Sequence, residues 1–448
     1  MKRSSSISIA FASLVFVISA AAATRPRYGG TLRVAIQESP QNLDPLTADS
    51  PALRSLSQLV FETLVKFDDR GRPQPLLASG WQVEPGNQRW RFQVRAGVLL
   101  SDGTPLDAST TAAALRASNP QWKIFALGDL VMIETDAADA NVPAELALVR
   151  NSIARRNSDG LLTGTGSFTV AKLDSAAKHL SLAANDQYWG GRPYIDAVEV
   201  DFGKNYRDQM MQLDLGKIDL VELAPEGIRA ALAANRQLIA SQPEELLALV
   251  FGRDAQTNPE TRLRVALALG VDRASLANVV FQGAGEPTAA LLPNWLSGYA
   301  FVFPTSGARE RGLQQQAPLM LGYDPNDAVA RIVADRILLN AKDAGVTLHS
   351  ANGENADLRL VRIALPSLNP QLALSEIARN FQLPPPTFAD PSVASNYLSE
   401  NAMLQTRRVV PLLHLRSAVA VRPNVHSVAV RPDGEWDLNG AWLSPETP

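Results

Sequence analysis

An α/β fold in more than one domain is predicted by three features of this sequence. They are a strand–helix–strand pattern from Leu319 to Ser350, a mixture of short strands and Ala-rich helices without any repeat of fixed period, and a length of 448 residues with 46% hydrophobic content. A chain of that size buries a large core and divides into two or three domains rather than one. In the first feature, Leu319-Met320-Leu321-Gly322-Tyr323 reads as a short apolar strand, and Asp324-Pro325-Asn326 starts a helix with Pro near its first turn. Val329, Ile332, Val333 and Ile337 follow helical spacing, with Arg336 the polar exception on that stripe. Gly345 ends the helix and Val346-Thr347-Leu348 begins the next strand. Such a unit calls for parallel strands with a right-handed crossover, and its apolar stripe is core packing.

Taken in order, the chain opens with Lys2 and Arg3 before an apolar run from Ile7 to Ile18, and Ala21-Ala22-Ala23 offers small residues for cleavage. This reads as a secretory signal peptide over residues 1–23. The run is shorter than the roughly 20 residues that span a bilayer. With no cysteine there is neither a lipid-attachment site nor a disulfide, so a soluble exported protein is expected rather than a lipoprotein.

Between Phe61 and Ala108 the pattern is strand, strand, turn, helix. Trp81 and Val83 alternate with polar residues, Pro85-Gly86-Asn87 supplies a turn, and Trp90, Phe92 and Val94 alternate again. Asp102-Gly103 makes a second turn, and Asp107 or Ser109 caps a helix from about Thr110 to Ala117. A further Ala-rich helix runs from Gly227 to Arg236. Leu246–Phe251 and Val409–Leu415 are apolar segments suited to crossing between domains.

Several function classes are excluded. A formal charge of −3, with Arg155-Arg156 and Arg407-Arg408 as isolated pairs of solvated surface, argues against nucleic acid as a partner. No GxSxG elbow, HExxH, P-loop or complete GxGxxG is present, since Gly283-Ala284-Gly285 is followed by Glu286-Pro287. The four histidines, His179, His349, His414 and His426, have no spacing that would set metal ligands on one helix face. No enzyme activity, metal or cofactor is therefore expected. His414, inside an apolar segment, reads as a hydrogen-bonded core histidine, and Asp68-Asp69 as local turn chemistry.

Longer strings carry a resemblance. Gly29-Gly30-Thr31-Leu32-Arg33-Val34, Asn42-Leu43-Asp44-Pro45, Phe61-Glu62-Thr63-Leu64, Gly164-Thr165-Gly166-Ser167-Phe168, Tyr188-Trp189-Gly190-Gly191-Arg192-Pro193-Tyr194, Leu215-Gly216-Lys217-Ile218-Asp219, Arg264-Val265-Ala266-Leu267 and Val271-Asp272-Arg273 occur in the order found in the family 5 extracellular solute-binding proteins. The chain resembles these periplasmic receptors for oligopeptides, dipeptides and nickel complexes, which feed ABC importers. The resemblance implies a two-lobed, type II periplasmic binding protein. Lobe one would be residues 25–245 plus 412–448, with a family-type subdomain inserted, and lobe two residues 246–411. It further implies a monomer in the periplasm that holds a solute, most simply a short peptide, in the cleft and passes it to ABC transporter permease subunits. Another solute (an oligosaccharide or a metal chelate) and a receptor-like sensor uncoupled from transport are the alternatives.

Positions then expected at the cleft are Glu38 and Ser39, Arg253 and Asp254, and Asn294, Trp295 and Tyr299, with Arg253 holding a ligand carboxylate. For each, the competing reading is a solvated loop residue, or core for Trp295. The chain also departs from the family. Many peptide receptors carry a WxxDYPDP-type motif in lobe two, whereas Leu360-Val361-Arg362-Ile363-Ala364-Leu365-Pro366-Ser367-Leu368-Asn369-Pro370 lacks its tryptophan and aspartates. The segments between Asp107 and Gly164 and after Arg379, with Pro384-Pro385-Pro386, also look shortened.

Overall fold

The computed structural model describes residues 25–157, 161–307, 312–352 and 356–445, so the expected signal peptide lies outside the described residues. Two long strands, Gln237–Phe251 and Val409–Val421, pair antiparallel along most of their length and form the spine of an 11-stranded mixed sheet. On one side of the spine, Leu220–Leu223 pairs with Val409–Val421 and runs parallel to Thr31–Ala35, which is in turn parallel to Ala197–Asp201. The antiparallel strands His179–Ala184 and Phe168–Asp174 complete that half. On the other side, Leu358–Ile363 pairs with Leu246–Phe251, and Leu319–Tyr323 runs parallel both to it and to Leu348–Asn352.

The strand–helix–strand unit is present as expected, with its helix at Ala328–Asp343. The helix begins later than Asp324 because Asp324-Pro325-Asn326 closes a turn on itself, the Asp324 carboxylate accepting from Asn326 N. Asp327 is the cap, accepting from the Val329 and Ala330 amides. Arg336 leaves the apolar stripe to donate to Ser275 Oγ at 2.7 Å, and Gly345 follows the helix with φ +81°. The α-helix at Gly227 is shorter than the composition suggests: it covers only Ile228–Ala233, after a 3-10 turn at Pro225–Gly227, and Asn235 at φ 54° ends it.

The apolar residues form separate cores. One gathers Leu246–Leu249, Leu267, Ile337, Leu374 and Leu413. A second gathers Leu32, Leu56, Val198, Leu220 and Val419. A third lies under the predicted hairpin, whose strands Ala78–Val83 and Arg89–Val94 pair Trp81 with Phe92 and Val83 with Trp90. Trp90, Phe92 and Val94 are buried, whereas Val83, the last residue of its strand at the turn end of the pair, remains 42% exposed. The helix Ala108–Ser118 follows, with Asp107 as its cap. Both apolar crossing segments belong to the spine, which reaches beyond them to Gln237 and Val421. Its ladder is broken around Ala240–Glu245, where it passes from the second core to the first.

Two of the family-like strings acquire physical reasons. In Gly164-Thr165-Gly166-Ser167-Phe168, a Cβ at Gly166 would stand 2.3 Å from the Leu59 carbonyl oxygen, and one at Gly164 2.2 Å from that of Val60. These glycines let the strand lie against the end of the helix Pro51–Val60, with Gly166 N donating to Val60 O at 2.9 Å. Gly166→Ala is therefore expected to cost about 1–3 kcal/mol through overpacking, read as a lowered thermal midpoint. An unchanged midpoint would show that the helix end can yield. In Val271-Asp272-Arg273, Asp272 caps Ser275 N at 2.9 Å while the buried Arg273 guanidinium donates to the carbonyls of Thr288, Pro411 and Ala268. His414 is the expected core histidine. It is 2% exposed, its Nε2 lies 3.1 Å from Leu291 O, and burial pushes its pKa down to about 4.

Candidate functional site

A cavity of about 770 Å³ opens where the two halves of the molecule face each other. One wall is the helix Pro51–Val60, whose Pro51 sits at N1 and whose cap Ser50 accepts from Leu53 N. This amphipathic helix buries Ala52, Leu56 and Leu59 and turns Arg54 and Gln58, one turn apart, to the cavity. Both reach the turn Arg431–Asp437: Arg54 Nε lies 2.6 Å from Glu435 Oε1, and Gln58 Nε2 2.6 Å from Glu435 Oε2. Arg431 adds contacts to Asp433 at 3.5 Å and Glu435 at 3.8 Å. Against burial, Arg54 and Arg431 hold the Glu435 carboxyl below its ordinary range, while burial and Glu435 push Asp433 up.

The floor is built on Glu62, 8% exposed, whose carboxylate accepts from Tyr188 Oη at 2.7 Å, Trp189 Nε1 at 2.8 Å and Thr165 Oγ1 at 2.8 Å. Burial raises its pKa despite these three bonds. The Tyr188-Trp189 and Gly164–Phe168 strings thus converge on one buried acid. Lys66, exposed within the strand Val65–Phe67, also lines the cavity.

The opposite wall comes from the first core: Pro366–Leu368 and the helix Pro370–Asn380. This is the stretch that departs from the family motif, and Asn369-Pro370 serves there as a helix cap, Asn369 accepting from Leu372 N at 3.0 Å. Contacts cross the cavity rim. Arg150 Nη2 lies 2.9 Å from Glu376 Oε1, Asn141 Nδ2 donates to Gln371 Oε1 at 3.2 Å, and a Cβ at Gly71 would meet Leu368 O at 2.2 Å. A smaller hollow of about 120 Å³ adjoins the spine, lined by Glu222, Glu244, Glu245, Arg362 and Tyr206. Burial pushes Glu222 up to about 7 and Glu244 up to about 8.

None of the seven residues expected at the cleft lines the large cavity. Arg253 is held elsewhere: it forms a two-pronged ion pair with Glu260 at 2.9 and 3.0 Å on an exposed loop. The strand runs on from Pro243 to Phe251 before reaching it, about 27 Å of extended chain, so Arg253 stands at the far end of the lobe. Asp254 lies 3.8 Å from Arg408 at the same end. Asn294 and Ser39 are exposed. Trp295 is half-buried and donates to Pro243 O at 2.8 Å, which places it against the spine, and Tyr299 donates to Glu400 Oε2 at 2.7 Å. Glu38 accepts from Ser50 Oγ at 2.6 Å beside the cap of the wall helix. The residues that do line the cavity, Arg54, Glu62, Lys66, Arg150 and Glu435 among them, were not singled out from the sequence. The one local signal was Arg54 and Gln58 on the polar side of an otherwise apolar helix. Among the described residues no three His, Cys, Asp or Glu stand where they could hold a metal, and no helix is long and apolar enough to cross a membrane.

Comparison with known proteins gives a consistent result. The family described as "Bacterial extracellular solute-binding proteins, family 5 Middle" matches residues 72–356. An uncharacterised protein of Bacillus subtilis is 33% identical over 181 residues, covering 37% of this chain and 31% of that protein. A nickel-binding protein of Staphylococcus aureus is 21% identical over 277 residues, covering 58% of this chain and 55% of that protein. The chain therefore spans about a third to a half of the length of these curated relatives. In fold, the dipeptide-binding protein of Pseudoalteromonas sp. SM9913, solved with Met-Leu, superposes with a TM-score of 0.78 at 14% identity, covering 93% of this chain and all of that one.

Proposed function

The chain belongs to the family 5 bacterial extracellular solute-binding proteins, and from that membership we propose that it captures a small solute between its lobes, a short peptide first, and delivers it to an ABC importer. It acts as a monomeric periplasmic receptor and performs no chemistry on the solute. The observation that carries this reading is the 770 Å³ cavity with walls from both cores, a size suited to a solute of a few hundred daltons. We place lobe one at residues 25–245 plus 412–448 and lobe two at 246–411, a division supported by the separate cores and by the broken ladder near Ala240–Glu245. Closure about that spine would account for the contacts that Arg150 makes with Glu376 and the turn at Gly71 with Leu368.

The Staphylococcus aureus relative favours a second solute class, a metal chelate, in which the chelator supplies the metal's ligands. Native mass spectrometry on protein purified from the periplasm tests the proposal, together with X-ray scattering before and after the bound solute is removed. Short peptides released on denaturation, and a larger radius of gyration for the emptied protein, are the expected results. A single metal-containing mass would select the chelate, and an identical radius with and without solute would oppose closure.

A further inference from the structure

The charges around the large cavity are unevenly committed. Of its five lining cations, four hold carboxylates of the protein itself: Arg54 with Glu435, Arg150 with Glu376, Arg192 with Asp186 and Arg431 with Asp433. Among the described residues no carboxylate lies within ion-pair distance of the fifth, Lys66. Its nearest acid in sequence, Glu62, has its carboxylate taken by Tyr188, Trp189 and Thr165. Val65 and Phe67, on either side of Lys66, are buried, so the strand's alternation turns the lysine out into the cavity. Two lining acids, Asp49 and Asp437, likewise have no ion pair among the described residues.

Backbone pairing, the other way to hold a peptide, is restricted on the wall that departs from the family motif. Leu365 is 3% exposed, its N–H turns to Glu244 Oε2 at 3.4 Å, and its carbonyl to Arg54 Nη2 at 3.5 Å.

Resting on the receptor reading, we propose that Lys66 receives the anionic group of a compact zwitterionic solute, while Asp49 and Asp437 supply the opposite sign for its cationic part. The physical reason is closure. Covering the cavity removes water from an ammonium group whose neighbouring carboxylate, Glu62, is already held by three other donors, which is costly unless the solute brings an anion to it. A solute without an anionic group would therefore be held only in the open form.

The test uses native mass spectrometry of the mature protein with a pancreatic digest of casein, offered untreated and after methyl esterification of its carboxyl groups. The wild type should retain components of the untreated digest and roughly tenfold less of the esterified one, the scale of one charge-assisted hydrogen bond. Lys66→Met should lose the untreated components while melting at the wild-type temperature, and Lys66→Arg should recover part of them. Equal retention of both digests by the wild type, or undiminished retention by Lys66→Met, overturns the proposal. Retention of neither digest by the wild type also overturns it, whereas the receptor reading is judged separately, by the solute that leaves the periplasm with the protein.

Discussion

Arg273→Met is expected to destabilise the protein by about 3–5 kcal/mol, because each buried carbonyl left without a donor costs about 1–3 kcal/mol. Arg273 is 4% exposed and donates to Thr288 O at 2.8 Å, Pro411 O at 2.9 Å and Ala268 O at 2.9 Å. These carbonyls belong to three separate stretches: the end of the helix Asn258–Gly270, the segment before Ala289, and the returning spine strand. One guanidinium thus ties the helix end to two stretches that are themselves joined where Thr288 N donates to Leu412 O at 3.0 Å. Burial pushes its pKa down to about 10, so it remains charged at neutral pH and keeps all its donors. Methionine fills much of the volume and supplies none of them. Urea unfolding followed by tryptophan fluorescence measures the loss. A change under about 1 kcal/mol would mean that water or neighbouring amides satisfy the carbonyls once the arginine is gone.

Glu244→Gln is expected to raise stability at alkaline pH and leave it nearly unchanged at pH 4. Glu244 is 2% exposed. Burial, with Glu245 beside it, pushes its pKa from 4.5 up to about 8, although Ser417, Arg54 and the Leu365 amide favour the ionised form. Between those values the folded state holds a proton that the unfolded chain has released, so the wild type loses stability as pH rises through that window. The full penalty is reached above pH 8 and amounts to at most roughly 5 kcal/mol. Glutamine carries no titrating proton and retains a hydrogen-bonding side chain, so the variant's stability curve should flatten across the window. Urea midpoints at pH 4, 6 and 9 for both proteins decide it, and parallel curves would show that Glu244 is solvated enough to titrate normally. The position lends the result interest, since Glu244 stands at the ladder break where the spine passes between the cores.

How much of this was legible in the sequence differs between fold and site. The hairpin at Trp81 and Phe92 and the strand–helix–strand unit from Leu319 were readable because periodicity and turn chemistry act over a few residues. The helix start was misplaced by a few positions because Asp324 and Asp327 can each take up a local amide, and only the packed structure shows that Asp324 closes a turn while Asp327 caps. Arg253 looked suited to a cleft as a charged residue just beyond an apolar crossing. The direction in which the strand runs on from the spine carries it to the far end of the lobe, where Glu260 holds it.

The cavity was not legible for a different reason. Arg54 meets Glu435 across 381 positions, and Arg150 meets Glu376 across 226. Nothing in the neighbourhood of either residue marks its partner.

By itself, then, the amino-acid sequence determined the α/β class, the hairpin, the parallel unit, the apolar spine segments and, through strings spread along the chain, the likeness to a receptor family. Each of these depends on residues close enough in sequence to share one strand, helix or turn. Only the tertiary structure decided that Glu62 is the shared acceptor of three donors, that four cavity cations are committed to the protein's own acids, and that Lys66 is left facing the cavity. Those outcomes depend on which distant segments pack together, because a charge takes its partner from whatever group the fold brings within a few ångströms, whatever its place in the chain.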